Sequence, residues 1–235
     1  MKILLDWITE FPLFGLLLTL ATFYCGQRLY VASGRNPWLQ PVVASMVLVI
    51  LVLVLFDIPY ERYYRGAELL HLLLGPATVA LAVPLFQHAR RIRALLLPIL
   101  LTLLTGGALT VGIAVGTLWL LGGSDASLIT ITTKSITTPI AMAVSEQLGG
   151  IPSLAAVIVI VTGALGAVVG IPIMEKLGFR DQAVQGVTLG LTAHAVGTVR
   201  ALEVNEECGA FAAFAMGTTG VLTALLLPMI ISWLG

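Results

Sequence analysis

Charged residues are scarce in this chain. Only 10% of its 235 residues are Asp, Glu, Lys or Arg, against about 25% in an average soluble domain. Twelve Lys and Arg balance twelve Asp and Glu, so no excess of one sign points to nucleic acid as a partner. Hydrophobic residues make up 58% of the chain, and the mean hydropathy is +1.03. These values exclude an ordinary soluble domain and predict an all-α protein that crosses the lipid bilayer several times.

Cysteines and catalytic motifs are also few. Cys25 and Cys208 stand alone, without CxxC or Cys/His spacing, so neither a disulfide framework nor a metal site is expected. The sequence contains no GxSxG or HExxH pattern and no phosphate-binding loop. We therefore expect neither an enzyme nor a bound cofactor. The first residues lack a small-residue cleavage motif before the first apolar run, and we interpret them as mature sequence.

Long apolar runs are abundant, and six of them approach the 20 or so residues that a spanning helix needs. In the third run, Gly75-Pro76 predicts a kink or a break near the middle of the helix. The predicted spans are residues 11–30, 38–56, 69–86, 94–121, 151–174 and 208–233.

A polar cluster interrupts the apolar sequence between residues 132 and 144. An ionisable side chain at membrane depth costs a few kcal/mol or more, so it normally faces a cavity or a partner. We interpret the cluster as the wall of a binding site. The alternative is a polar loop at the membrane surface. The candidate substrate-binding residues here are Lys134, Ser135, Thr137, Thr138 and Pro139.

The positions of Lys and Arg predict that residues 128–150 enter and leave the membrane on the same face. The basic segment HARRIR and the connection 176–180 both lie inside, as the positive-inside rule requires, only if residues 128–150 do not cross. Residues 181–207 are too polar and glycine-rich for a lipid-facing helix, and they predict a second re-entrant hairpin from the opposite face.

Each predicted hairpin is followed by a span, which suggests an inverted repeat with the substrate site where the broken elements meet. A shift of 57 residues superposes Thr162-Gly163 on Thr219-Gly220, together with four other matches. The predicted fold is therefore an all-α polytopic membrane protein with about six full spans and two re-entrant or broken helical hairpins. The alternative is eight plain helices in which Gly and Ala serve only close packing.

The centre of the second hairpin supplies further candidates for substrate binding, namely His194, Gly197, Thr198 and Arg200. His194 suits a proton carrier because an unperturbed imidazole titrates near pH 6.5; a buried structural histidine is the alternative. For Arg200 we favour an ion pair with a nearby glutamate such as Glu203 over a contact with substrate.

A small carboxylate needs one positive charge and a few hydrogen-bond donors. Lys134 would supply the charge, although a lysine that snorkels to the interface fits the sequence equally well. The helix that begins at Thr138-Pro139 would present free N–H groups and a positive dipole end. Weaker candidates for a third side of the cavity are Gly75, Pro76 and Thr78.

Several long motifs resemble the LrgB/CidB family of bacterial membrane proteins. The resemblance covers residues from about 66 to 228 and departs from the family pattern at Thr133 and Ala193, which replace a usual proline and a usual serine. The loss of the serine removes one possible donor. The motifs are LLGPATVALAVPL, TKSITTPIAMAV followed by EQLGGIPSLAAV, and AHAVGTVRALE followed by EECGAFAAFAMG.

The resemblance implies two functions. Bacterial members are commonly named holin-like or antiholin-like proteins, thought to control murein hydrolase activity and cell lysis with a small LrgA/CidA-type membrane partner. The plant member transports glycolate and glycerate in plastids, and pyruvate uptake has been linked to some bacterial members.

The polar, broken elements favour a carrier of small monocarboxylates (glycolate, glycerate, lactate or pyruvate), coupled to protons or another ion, over a holin-like pore or its regulator. A scaffold that only binds the small partner is a third hypothesis. We expect a homodimer in the bacterial cytoplasmic membrane with both termini outside. Residues 1–65 would form a scaffold and residues 66–235 an LrgB-like transport unit.

Overall fold

A computed structural model of the protein describes residues 9–234, and this range contains helices but no strand. The chain forms two compact units, Met1–Ala82 and Val83–Gly235. The predicted all-α class is confirmed. The boundary predicted between residues 65 and 66 falls inside a continuous helix, Tyr60–Ala80.

From residue 9 onward, the first unit contains three long helices, α1 (Phe14–Ala32), α2 (Pro41–Leu55) and α3 (Tyr60–Ala80), with a 3-10 turn at Pro37–Leu39. Glycines allow α1 and α3 to touch through their backbones, since a methyl group added at Gly15 would lie 2.0 Å from the carbonyl oxygen of Tyr63. Hydroxyl pairs then join α1 to both neighbours. Thr19 lies 2.9 Å from the Tyr63 hydroxyl and Thr22 lies 3.1 Å from Ser45. Small residues and interhelical hydrogen bonds are the usual means of packing helices in lipid.

Of the kink or break predicted at Gly75-Pro76, the break is not observed. Helix α3 continues through both residues to Ala80, and the interruption falls at Leu81, before the short helix α4 (Ala82–Gln87). Proline inside a membrane helix is tolerated when nearby groups compensate for the lost backbone bond. The carbonyl that Pro76 leaves without an N–H partner is that of Leu72, four residues earlier, whereas the Thr78 hydroxyl donates to the carbonyl of Leu74 at 2.7 Å.

Within the described residues, the second unit contains five of the six residues of α4 and seven further helices. Short α5 (Ala89–Ala94) leads into long α6 (Leu96–Leu120), and long α9 (Pro152–Lys176) separates two broken elements. The first broken element consists of α7 and α8, the second is α10, and α11 ends the chain. Their ranges are α7 Asp125–Ile131, α8 Thr138–Gln147, α10 Gln182–Val204 and α11 Glu206–Leu234.

Each of the six predicted spans coincides with an observed helix or helix pair. Among the described residues, four stretches are long and apolar enough to cross a membrane, and a fifth apolar helix, Pro41–Leu55, is shorter. The chain is a multi-pass membrane protein. The four stretches are Tyr60–Gln87, Leu96–Leu120, Pro152–Lys176 and Glu206–Trp233.

The first broken hairpin, predicted at residues 128–150, is formed by α7 and α8. Six non-helical residues separate the two helices, which measure about 10 and 15 Å at 1.5 Å per residue. The chain then returns to α7, because the Ile151 amide donates to the Thr130 hydroxyl at 2.8 Å. Gly150 fits against Thr130 and Ser145, where an added methyl group would lie 2.9 Å or less from each hydroxyl. After α8 the chain therefore returns to the last turn of α7, from which the tip departs.

The second broken hairpin, predicted at residues 181–207, is α10. Its helix is interrupted at His194, whose φ of 43° and ψ of −127° are not helical. The chain reverses there: a methyl group added at Gly197 would lie 2.5 Å from the carbonyl oxygen of Leu189, eight residues earlier. At the base, Arg91 binds both Asp181 and Glu207, the residues that flank the hairpin. Both ends of this hairpin therefore lie on the face that carries Arg91.

The first half of the repeat comprises α7 to α9 and the second comprises α10 and α11. The hairpin of each half packs against the long helix of the other half, as expected for an inverted repeat. Helix α9 crosses once between the hairpins, so they enter from opposite faces. Gly163 on α9 faces the ring of His194 in the second hairpin, whereas Gly220 on α11 faces Ile140 in the first. These glycines are the pair that the 57-residue shift superposes. Each long helix thus carries a glycine where the hairpin of the other half packs.

Candidate functional site

The broken tips of the two hairpins meet at Val159, in the first half of α9. Ile136 of the first tip forms a buried apolar cluster with Val159, Ala155 and Ala141. From the second tip, Nε2 of His194 lies 2.9 Å from the carbonyl oxygen of Val159. The tips of the two hairpins thus contact the same turn of α9.

His194 occupies a strained position. A positive φ is uncommon for any residue other than glycine, and such conformations cost about 1–3 kcal/mol. The ring is 3% exposed and packs against Gly163, where an added methyl group would lie 2.6 Å from Cε1. With Nε2 donating to Val159, the other ring nitrogen, Nδ1, is buried and has no hydrogen-bond partner among the described residues. Nδ1 is then a free acceptor inside the protein.

Lys134 and Ser135 form the polar part of the first tip. The Lys134 ammonium donates to the Ser135 hydroxyl oxygen at 3.1 Å, its one side-chain hydrogen bond within the described residues. Ser135 is 6% exposed, and its own hydroxyl proton has no acceptor among the described residues. The Lys134 ammonium is therefore adjacent to the Ser135 hydroxyl, and that hydroxyl can still donate its proton to a further acceptor.

The helix that follows this tip begins without a side-chain cap. Thr137 is the N-cap residue of α8, but its hydroxyl makes no capping hydrogen bond, and Thr138 and Pro139 form the first turn. The first N–H groups of a helix have no partners within the helix. The start of α8 thus leaves donors and the positive end of a dipole directly after Ser135.

A cavity of about 240 Å³ lies beside the first tip. Its polar wall includes Thr132, Ser135 and Thr219, and its apolar wall includes Leu191 of the second hairpin and Leu222 of α11. The Thr219 hydroxyl is buried, and the described residues provide it with no hydrogen-bond partner. Ser135 and Thr219 therefore line one cavity with two unsatisfied hydroxyl donors.

Thr219 and the contribution of α6 were absent from the candidates drawn from the sequence. One signal for Thr219 was present, since the 57-residue shift aligns it with Thr162. No local pattern marks the α6 residues, because they resemble any lipid-facing helix. The α6 residues of the cavity wall are Leu103, Leu104, Gly107, Ala108, Thr110 and Val111.

The remaining candidates lie away from this cavity wall. Thr198 is 2% exposed and donates its hydroxyl to the carbonyl of His194 at 2.8 Å, so it holds the second tip together. Arg200 lies six residues, or about 9 Å, towards the base of the hairpin and pairs with Glu203 at 2.9 Å. Gly197 serves the close contact between the hairpin arms. Direct substrate contacts by these three residues stay predictions.

Gly75, Pro76 and Thr78 belong to α3 of the first unit, whereas the cavity is built from the second unit alone. Their assignment to a third side of the site stays a prediction. Across residues 9–234, no group of three His, Cys, Asp or Glu side chains is arranged to hold a metal ion.

The fold and site define a class, a multi-pass membrane protein with two broken hairpins whose tips meet on the long helix between them. The sequence profile of the LrgB-like family matches residues 19–233. The chain belongs to the LrgB-like family.

Known relatives cover nearly the whole chain. The holin-like protein CidB of Staphylococcus epidermidis is 32% identical over 216 residues, which are 92% of this chain and 94% of that protein. CidB of Staphylococcus aureus gives the same identity and coverage. The uncharacterized protein YxaC of Bacillus subtilis is 35% identical over 221 residues, which are 93% of this chain and 94% of that protein. No solved structure matches the chain.

The relatives' names fit the holin-like alternative better than monocarboxylate transport. Two of these names contain the words "holin-like", and none of the three mentions a carboxylate or an enzyme activity. Membership of the family and a place in the membrane are therefore shown, and the solute is a separate question.

Proposed function

We propose that this protein is a carrier of small monocarboxylates, of the glycolate, glycerate, lactate or pyruvate class, in the bacterial cytoplasmic membrane. The observation that carries the proposal is the pair of unsatisfied hydroxyl donors, Ser135 and Thr219, on one cavity at the hairpin junction. An ionised carboxylate only accepts hydrogen bonds. Two buried donors with the Lys134 ammonium behind one of them complement such a ligand.

Coupling to a proton is proposed at the second tip. The free Nδ1 of His194 is a buried acceptor at the junction of the two hairpins. An imidazole that takes up a proton there would add a positive charge close to where an anion binds. Inverted repeats with discontinuous helices at their interface are typical of alternating-access carriers.

The second candidate is a holin-like pore or a regulator of cell lysis, and the names of the relatives favour it. Both proposals include a small LrgA/CidA-type partner and assembly as a homodimer. The basic segment near Arg91 would face the cytoplasm, with both chain termini outside.

Flux through liposomes distinguishes these functions. Purified protein is tested for uptake of labelled glycolate, lactate and pyruvate, and for leakage of a bulky trapped dye, with and without a small LrgA/CidA-type partner. For a carrier we expect saturable uptake and a retained dye. Dye escape that ignores substitution of Lys134 would instead establish a pore.

Three cavity variants and one control locate the site. Lys134→Ala, Ser135→Ala and Thr219→Val should each lower uptake efficiency about 10- to 150-fold, the effect of one hydrogen bond to a charged group. Thr117→Val is the control, because Thr117 is exposed on α6 and donates its hydroxyl to Ile113. Normal uptake in all three variants would refute this site even if carboxylate transport were found.

A further inference from the structure

A second cavity lies at the face of the protein that carries Arg91, between α6 and the first arm of α10. It has a volume of about 490 Å³ and is open on one side. Its floor is buried and apolar, with Ile99 and Val187 exposed by 5% and 6%. The twelve residues from Arg91 to Thr102 run from α5 past Leu95 into α6 and span about 16 Å at 1.5 Å per step, close to half of a 30 Å hydrocarbon core. The groove thus extends through one leaflet.

Among the residues that line the groove, only those at its mouth are charged. Deeper along the walls, Thr102 and Thr188 use their hydroxyls internally, donating to the carbonyls of Pro98 and Val184 at 2.8 Å. At the mouth, Arg91 and Asp181 pair at 2.8 Å, with side chains 46% and 50% exposed. A ligand that matches the groove therefore has a polar head and a long apolar body, as a phospholipid has.

The charges at the mouth indicate the head group. Arg91 also binds Glu207, so one guanidinium bridges two carboxylates and the mouth presents charges of both signs. A guanidinium has five N–H donors, of which two are used here, leaving donors for a phosphate. The carboxylates need a cation with N–H donors. The complementary head is zwitterionic, with a phosphate and a primary ammonium.

We propose that this groove binds one acyl chain of phosphatidylethanolamine, with the lipid phosphate on Arg91 and the ammonium on Asp181 and Glu207. Phosphatidylcholine has a cation without N–H donors, and phosphatidylglycerol has no cation. The site should therefore rank ethanolamine above both other head groups on the same acyl chains. The bound lipid would contact both α6 and the second hairpin at the membrane surface.

Native mass spectrometry of the full chain tests the ranking, with equal amounts of dioleoyl phosphatidylethanolamine, phosphatidylcholine and phosphatidylglycerol. We expect the ethanolamine lipid to be retained about tenfold or more over the others, as the gain from hydrogen bonds to charged groups requires. Equal or stronger retention of phosphatidylglycerol would overturn the proposal, since it would indicate a simple anionic lipid site.

Matched variants test the two ends of the groove separately. Asp181→Asn keeps a residue able to cap α10 and should abolish the preference for ethanolamine, whereas Glu206→Gln on the adjacent exposed position should not. Val184→Trp should block the acyl path and lower retention of all three lipids. Leu97→Trp is its control, because Leu97 is 68% exposed and lies outside the groove wall. An unchanged preference in Asp181→Asn, or unchanged retention in Val184→Trp, would refute the assignment.

Discussion

Gly163 is the position where the packing of the two halves makes the sharpest prediction. An added methyl group would lie 2.6 Å from Cε1 and 2.7 Å from Nε2 of His194. In Gly163→Ala, the imidazole must therefore move away from α9. Because the ring is buried, moving it separates Nε2 from the carbonyl oxygen of Val159.

Three terms set the magnitude. Alanine gains about 1 kcal/mol over glycine in a helix interior. Overpacking costs about 1–3 kcal/mol, and a buried donor left without a partner costs about 1–3 kcal/mol more. We expect Gly163→Ala to lower the free energy of unfolding by about 1–5 kcal/mol.

Gly220→Ala is the matched control at the related position of the repeat. Its added methyl group would lie 3.2 Å from Cδ1 of Ile140, the flexible end of an aliphatic side chain. A small movement of Ile140 should suffice, so the helix gain of about 1 kcal/mol should largely remain. Unfolding by SDS titration in mixed micelles, followed by helical circular dichroism, measures both variants. Equal stability of the two variants would refute the packing of His194 against Gly163.

Two further predictions concern backbone conformation and the first unit. His194→Gly should be more stable than His194→Ala by about 1–3 kcal/mol in the same titration, because glycine accepts a positive φ without strain; equal stabilities would contradict the strained tip. Gly15→Ala should destabilise the protein by about 1–3 kcal/mol, because its methyl group would meet the backbone of Tyr63 and Ala67. Gly75→Ala, which meets no atom within 4 Å, should be neutral or slightly stabilising, and a comparable loss in both would refute the α1–α3 contact.

The architecture was predictable from the sequence because membrane constraints are local and strong. Apolar length located the six spans, and the positions of the basic residues required residues 128–150 to return to the same face. Both hairpins formed where polar residues and helix breakers interrupted the apolar pattern. At Gly75-Pro76 the same reasoning predicted a kink or a break, and α3 continues through both residues to Ala80 without a break.

The site was predictable only in part, because half of it depends on contacts between distant segments. Lys134 and Ser135 stand out as polar residues in apolar sequence. Thr219 does not, since a single threonine in a membrane helix usually bonds to its own backbone, as Thr117 does on α6. What distinguishes Thr219 is a missing acceptor, and that depends on which helices pack around it.

The burial of the hairpin junction bears on the choice between a carrier and a pore. Ile136, Val159 and Leu189 are at most 1% exposed around the two tips. A wide pore through this unit would expose these side chains to water, at about 1.5–3 kcal/mol for each. A carrier needs only to move one hairpin at a time past its partner helix, while the other hairpin keeps its contacts. A holin-like pore for large solutes would therefore form more readily between copies of the chain, or with a partner, than through this junction. The two functions thus predict different permeation paths.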